Sequence, residues 1–427
     1  MPAIHRIFEI ILLLFIVAGA VYSVLALVCV FTAGHAKKEK GEKADPPQTP
    51  PGISILKPLM GADEGLRENL ESFCRQAYRG NYEVLLGLSS GEDPAYPAAE
   101  EITRMFPDIA RIVISDADLG ANRKVSNLLG LEARARYDLI AVSDSDMRVG
   151  DDYLETIAGE YTRGEIGPRG ARKALMKCTR KTGPRAPLNL IGKPACKIGL
   201  VTSLYRISVP LSGGAAFESL TIALDFIPAV LVARRLEGGL SFGLGASMLF
   251  SREAFARTGG FKAIADYLAD DYQVGRRLWR DGHGVLLSKY VMEDMAGRMT
   301  VREHLLHQLR WARTYRASRP KGYLGYGVTH LFAWSLIFLL FSPGALSVSV
   351  LACALALRTL AGLAVHRRFF AFDREGRGER SYCWPKWLIL LPVKDITGFG
   401  IWIASFAGRR ISWRGRTFSV TREGKLR

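Results

Sequence analysis

Cysteine is scarce in this 427-residue chain: six residues, at positions 29, 74, 178, 196, 353 and 383, form no Cys-x-x-Cys pair and have no histidine at ligand spacing. Neither a disulfide framework nor a zinc site is supported, and the usage is compatible with a reducing cytosolic setting for the polar part. Cys29 and Cys353 fall in apolar runs, where cysteine acts as a small hydrophobe. Acidic residues are also few, 41 against 58 Lys and Arg, for a net charge of +17. The excess is concentrated, since residues 163–197 hold ten Lys or Arg and the single acid Glu165. No recognisable nucleic-acid-binding motif accompanies this patch, so no nucleic-acid partner is expected. Beside membrane segments an anionic phospholipid surface suits it, and a solvated insert with no partner fits equally.

Charge is missing altogether from two stretches. Residues 10–33 carry no Asp, Glu, Lys or Arg over 24 positions, long enough to cross a bilayer. Ala18, Gly19 and Ala20 lie inside that run, which favours a retained anchor (1–35) over a cleaved signal peptide. Residues 322–357 lack the same four residue types, but Ser342-Pro343-Gly344 breaks them, so a transmembrane helical hairpin is expected over 321–366. Lys37, Lys38 and Lys40 follow the anchor and His366-Arg367-Arg368 follow the second arm, while the hairpin tip has no positive charge. The positive-inside tendency then predicts a multi-pass protein of the cytoplasmic (inner) membrane with its polar domain facing the cytoplasm. Arg358, near the end of the second arm, is expected to snorkel. In the tail region 367–427, the last apolar stretch, 387–407, has Lys394 and Asp395 at its centre. Charges there cost about 2.5–3.5 kcal/mol each on insertion scales, and a crossing would place Arg409, Arg410, Arg414 and Arg416 outside. A re-entrant or interfacial pair of short helices is therefore expected.

The polar region, 53–320, follows a charged, Pro-rich linker over 36–52 that reads as a stiff spacer, and it contains the basic insert at 163–198. Strand and helix patterns alternate through its first part, which predicts an α/β sheet with crossover helices. The strand at 82–88 ends in Ser89-Ser90-Gly91-Glu92-Asp93-Pro94, and the apolar run at 138–142 ends in Ser143-Asp144-Ser145-Asp146. On extended backbone, residues two apart point the same way, so Asp144 and Asp146 can face one target. Carboxylates beyond the C-terminal end of a parallel strand suit a hard cation such as Mg2+ or Mn2+ carrying a diphosphate. A solvated turn after a core strand uses the same residue types.

Further along, residues 217–232 are apolar but interrupted by Glu218, Asp225 and Pro228, and a helix and strand bordering a pocket are expected. Residues 243–250 read as a Gly-rich strand, open to close approach of a ligand or another backbone. Ala269-Asp270-Asp271-Tyr272 opens a helix, where acids stabilise the dipole by about 0.3–1 kcal/mol each, and Asp270 reads as a local cap. His307, Arg310 and Trp311 fall at i, i+3 and i+4 on one helix face; a core Trp beside a snorkelling Arg explains that spacing too.

Taken in order, Lys57-Pro58-Leu59, Glu92-Asp93-Pro94-Ala95, Asp144 with Asp146, Ala269-Asp270-Asp271-Tyr272 and Arg310-Trp311 resemble the ceramide glucosyltransferase family of inverting, membrane-bound GT-A glycosyltransferases. The resemblance covers about residues 53–311 and, more loosely, Trp413-Arg414-Gly415-Arg416. It implies an α/β fold of GT-A type, a Rossmann-like mixed sheet with an N-terminal transmembrane helix and C-terminal membrane helices. It implies that Asp144 and Asp146 hold Mg2+ or Mn2+, and that Lys57, Pro58, Asp93, Lys124, Asn127, Asp144 and His307 serve the donor. Asp271 is then the general base, with Arg310 and Trp311 completing catalysis. The family has Gln or Arg where this chain has His307; that histidine, with residues 120–128 and 265–272, is similar to the hopanoid-associated subgroup. The implied reaction moves one sugar from a UDP-sugar, UDP-GlcNAc or UDP-glucose, to the hydroxyl of a lipid acceptor, a hopanoid polyol or ceramide. A processive polysaccharide synthase shares the motifs but carries more membrane helices. A non-catalytic membrane adaptor that binds nucleotide or lipid is the reading from a different class.

Overall fold

The computed structural model describes residues 2–33, 49–116, 118–163, 165–166, 196–370, 388–413 and 416–427. Most of the linker and of the basic insert lies outside the described residues. The chain forms two compact units, one of Met1–Lys37, Ser208–Val232 and Arg298–Gly424, the other of Lys38–Ile207, Ala233–Gly297 and Lys425–Arg427. Residues 208–232 and 298–320, which lie within the polar region 53–320 of the sequence, group with the apolar helices.

The polar unit is built on β1 (Ile53–Pro58), β2 (Tyr82–Leu88), β3 (Ala110–Ile114), β4 (Leu139–Val142), β5 (Met147–Arg148), β6 (Glu165–Ile166), β7 (Cys196–Arg206), β8 (Met248–Ser251) and β9 (Gly284–Asp294). These make one sheet in the order β3-β2-β1-β4-β8-β7-β9-β5, with β6 alongside β7. The first four strands are parallel, β8 runs antiparallel to both β4 and β7, and β7 pairs parallel with β9. This is the mixed α/β sheet expected from the sequence. Strands buried on both faces read as continuous apolar runs, which is why β1, β2 and β4 stood out: every residue of β1 and β4 is buried. From β1 the chain steps to β2 and β3 on one side, while β4 lies on the other. Ligands gather beyond the C-terminal ends of strands at such a reversal, where Lys57, Pro58, Ser143 and Asp144 lie. The Gly-rich strand is shorter than expected, because residues 243–247 form a loop held by Leu244 and Thr202 through N–H to Oγ1 and Oγ1–H to O contacts.

The other unit is helical. Four helices among the described residues are long and apolar enough to cross a membrane: Ala3–Thr32, Gly213–Glu237, Ala345–Phe370 and Leu388–Phe406; a further pair, Pro320–Thr329 and Leu331–Phe341, is bent by 58°. The N-terminal helix exposes Ile4, Leu14, Val21 and Phe31, as a lipid-facing surface does, and packs Leu12 and Ile16 against Leu331, Phe338 and Ala354. A Cβ on Gly19 would stand 2.7 Å from the carbonyl of Val328, so the small residues within the apolar run permit close helix packing. The break at Ser342-Pro343-Gly344 falls between helices, as expected. Arg410–Trp413 (β10) and Arg416–Ser419 (β11) form a hairpin near the chain's end.

Three expectations are overturned here, and one arrangement explains them. Residues 217–232 are helix throughout, with no strand and with a π-helical turn at Ile222–Phe226. Residues 388–406 form one helix and not a pair. Arg358 does not snorkel; it is buried, donating to both carboxylate oxygens of Asp395, to Asp225, and to the carbonyl of Leu224. Pro228 has no N–H to give that carbonyl, so the guanidinium satisfies an acceptor that the helix cannot. Lys394 pairs with Asp225 and Asp395, balancing two cations against two carboxylates. With its charges neutralised by neighbours, the segment 388–406 has no reason to break. Arg358→Met leaves Asp225 and Asp395 with Lys394 alone, and breaking such a buried group costs about 3–5 kcal/mol. Thermal unfolding in detergent should show a large drop for Arg358→Met and a smaller one for Arg358→Met with Asp395→Asn; equal drops would show that pairing is not the source.

Candidate functional site

The polar unit brings Lys57, Lys124, Asp144, Asp146 and Asp271 into one cluster. Lys57, at the end of β1, is fully buried; its ammonium donates to the carbonyl of Asp144 and sits 3.9 Å over the ring of Phe73. Burial lowers its pKa to about 7, against the pull of Asp146 and Asp144. Asp144 and Asp146 do not share an extended strand, because β4 stops at Val142 and residues 145–146 turn. They remain neighbours through the turn. Asp146 is pushed up to about 6, first by burial and then by the charge of Asp144.

Lys124 stands on the helix Arg123–Glu132, whose N-cap Asn122 accepts from the N–H of Val125. Its ammonium reaches Asp144 Oδ1 at 2.7 Å and Asp270 Oδ2 at 3.1 Å. Burial works against its charge, but Asp144 and Asp270 outweigh this and hold Lys124 protonated, above the usual lysine range. Asp270 therefore makes an ion pair, and the cap expected of it is absent: the helix Asp270–Arg280 has no side-chain cap bond.

Asp271 is the next residue. Its Oδ2 accepts from the N–H of Gly245 at 2.9 Å and its Oδ1 from the N–H of Tyr272 at 2.7 Å. Burial and then Asp270 raise it to about 7. A Cβ on Gly245 would lie 3.1 Å from Asp144 Oδ2 and 3.4 Å from Asp271 Oδ2. Both carboxylates thus converge on Gly245, the close approach expected of the Gly-rich stretch.

The other expected donor residues have firm structural partners. Asp93 Oδ1 accepts from the N–H groups of Gly61 and Ala95, tying the loop after β1 to the helix after β2. Asn127 donates to the carbonyl of Gly87 at 2.9 Å, and its Oδ1 is buried without a hydrogen bond. Pro58 ends β1. His307, Arg310 and Trp311 lie on the helix Val301–Ser318 of the other unit, with the rings of His307 and Trp311 4.7 Å apart. Sequence reasoning missed Asp63, whose Oδ2 accepts from Ser145 at 2.9 Å, and Glu218, which gathers His304, His307 and Gln308. Neither belongs to a recognisable motif, and only the folded chain brings their partners near.

A model of glycosyl transferase family 21 matches residues 11–173 and 188–426. The chain belongs to this family of glycosyltransferases. Ceramide glucosyltransferase 3 of Caenorhabditis elegans is 23% identical over 403 residues, 94% of this chain and 80% of that protein. Ceramide glucosyltransferase 1 of the same organism is 26% identical over 305 residues, 71% of this chain and 58% of that protein. Among solved structures, the mannosyltransferase PcManGT of Pyrobaculum calidifontis, in complex with GDP-Man and Mn2+, has 16% identity and a TM-score of 0.46, with 92% of this chain and 98% of that one covered.

The residues present in this family 21 chain fit a Mg2+ or Mn2+ ion. Asp146 Oδ1 is buried without a hydrogen-bond partner, and the Asp144 side chain is 35% exposed. No group of three or more His, Cys, Asp or Glu is placed to cage a metal among the described residues. One or two carboxylates completed by substrate phosphates is the habit of Mg2+. A pH test follows. The folded chain keeps protons on Asp146 up to about 6 and on Asp271 up to about 7, whereas the unfolded chain loses them near pH 3.9. In metal-free protein these two groups lower stability as pH rises from about 4 to 7. A divalent ion competes with the protons, so the rise in melting temperature caused by Mn2+ should grow from pH 5 to 8 and shrink in Asp146→Asn. A pH-independent rise in both proteins would contradict the assignment.

Proposed function

We propose that this family 21 glycosyltransferase transfers one sugar from a UDP-sugar, UDP-GlcNAc or UDP-glucose, to the hydroxyl of a lipid acceptor, a hopanoid polyol or ceramide, with inversion at the anomeric carbon. The observation that carries the reading is the pairing of an acid raised to about 7, Asp271, with Asp144 at one glycine gap. A base poised near neutrality is the form that takes a proton efficiently from a hydroxyl. Asp271 has both oxygens oriented by backbone N–H groups, so its position is set before substrate arrives.

Asp144 and Asp146 would hold Mg2+ or Mn2+, which when bound supplies positive charge to the leaving diphosphate. Lys124 holds Oδ1 of Asp144 and leaves its Oδ2 turned toward Gly245. Lys57, buried beneath Asp144 and Asp146, offsets part of their repulsion. Asp93 and Asn127 shape the donor loops through the backbone bonds described, and Pro58 ends the strand that carries Lys57. Arg310, as a second cation for the diphosphate, and Trp311 and His307, beside the donor, are assigned by their motif. The lipid acceptor draws support from the ceramide glucosyltransferases to which the chain is similar and from the apolar helices. A hydroxyl at the polar end of a lipid lies at the bilayer surface, which suits a multi-pass enzyme working on the cytoplasmic side of the inner membrane, against an anionic phospholipid surface.

Expression of the chain with isotope-labelled UDP-glucose or UDP-GlcNAc, followed by mass spectrometry of the lipids, identifies donor and acceptor together. Wild type should yield a lipid carrying a single labelled sugar. Asp271→Asn should reduce its formation by about 100-fold or more, the usual range for loss of a general base. Long polymer in place of the single-sugar lipid, or unchanged glycolipid in Asp144→Ala and Asp271→Asn, would overturn the proposal.

A further inference from the structure

Ser145 stands between the two acids of the metal pair and is 5% exposed, and the reaction above gives its hydroxyl no task. Each residue of that turn is held by a group elsewhere in the polar unit. The carbonyl of Asp144 accepts from the ammonium of Lys57, and the carbonyl of Asp146 accepts from the N–H of Met295 at 2.8 Å. Ser145 is held twice. Its Oγ donates to Oδ2 of Asp63 at 2.9 Å, and its carbonyl accepts from Nδ2 of Asn69 at 3.3 Å. Asn69, fully buried, is oriented in turn by Nε of Arg148, which donates to its Oδ1 at 3.0 Å.

Lys57, Asn69 and Met295 act on backbone carbonyls, which any residue in the turn would offer. Asp63 alone among these holders takes hold of a side chain of the turn. It lies on the loop between β1 and the helix Leu66–Cys74, and that loop is anchored to the neighbouring strand β2 and the segment after it. The N–H of Leu59 donates to the carbonyl of Gly87 at 2.8 Å, and the N–H of Gly61 donates to Oδ1 of Asp93 at 2.8 Å. One short loop thus links the C-terminal end of β2 to the turn after β4, across β1.

Asp63 is exposed, so solvent screens its charge and its effect is carried by the hydrogen bond. It does not complete a cage, since no group of three or more His, Cys, Asp or Glu is placed to hold an ion among the described residues. Asp146 Oδ1 is buried without a hydrogen-bond partner, which leaves the backbone of the turn to set its direction. We infer that Asp63 is a positioning residue: by holding the hydroxyl of Ser145 it fixes the turn that aims Asp144 and Asp146 at one divalent cation. The inference rests on the metal reading of that pair and adds the residue that organises the pair before the ion arrives.

Mn2+ affinity of the full-length protein in detergent, read by electron paramagnetic resonance, should weaken about tenfold in Asp63→Ala and in Ser145→Ala, as when a partner behind a metal ligand is lost. The double variant should weaken no further, because a coupled pair loses its interaction only once. Asp63→Asn keeps an oxygen that accepts from Ser145 and should retain most of the affinity. In metal-free protein, amide hydrogen exchange over residues 143–148 should be faster in Asp63→Ala and in Ser145→Ala than in wild type. Unchanged exchange in Asp63→Ala, additive losses of Mn2+ affinity, or a loss in Asp63→Asn equal to that in Asp63→Ala would overturn the inference, the last by making Asp63 a ligand in its own right. Wild type that binds Mn2+ no better than Asp146→Asn would defeat the metal reading. The exchange measurement needs no ion, so it still decides whether Asp63 fixes the turn.

Discussion

The polar unit depends on one half-buried cation. Lys124 reaches Asp144 at the C-terminal end of β4 and Asp270 at the start of a helix more than a hundred residues later. Without that ammonium, Asp144 and Asp270 would lose their shared partner beside Asp271, and at ε of about 20 two like charges 4 Å apart repel by about 4 kcal/mol. With it, the two acid-bearing segments are drawn together, while burial raises the next acid, Asp271, to about 7. Different tasks for neighbouring carboxylates require such unequal surroundings.

The helical unit meets a related constraint by another route. Charges inside apolar helices are costly unless paired, and here Arg358, Lys394, Asp225 and Asp395 pair among themselves on three different helices. Each of these helices is long and apolar enough to cross a membrane although it carries Asp225, Arg358 or the Lys394-Asp395 doublet, and the group together is neutral. Glu218 repeats the pattern with histidine and glutamine donors. Buried polar groups of this kind tend to define one arrangement of helices among many of similar apolar burial.

What could be read in the sequence follows from the range of the forces involved. The parallel strands β1 and β4 were legible because double-sided burial writes itself as apolar runs, and every residue of both is buried. The acids of the site were legible as motifs, since Asp144, Asp146 and Asp271 stand close to strand and helix ends. Lys124 was visible only as a donor-side residue, because its partners are set by folding. For the same reason Asp270 reads as a cap in sequence and is an ion-pair partner in the fold, and Arg358 reads as snorkelling when its counter-charges are far along the chain. Residues 217–232 misread as helix and strand because Pro228 normally ends a helix, and nothing local reveals that Arg358 would take over the carbonyl it leaves.

The central claim is a single displacement at the anomeric carbon, with Asp271 taking the proton of the acceptor hydroxyl. The anomeric configuration of the sugar in the purified glycolipid, read by proton NMR, tests it most directly. Starting from an α-linked UDP-sugar, one displacement gives the β-linked product. An α-linked product would mean two displacements or front-side attack, and would contradict the role given to Asp271.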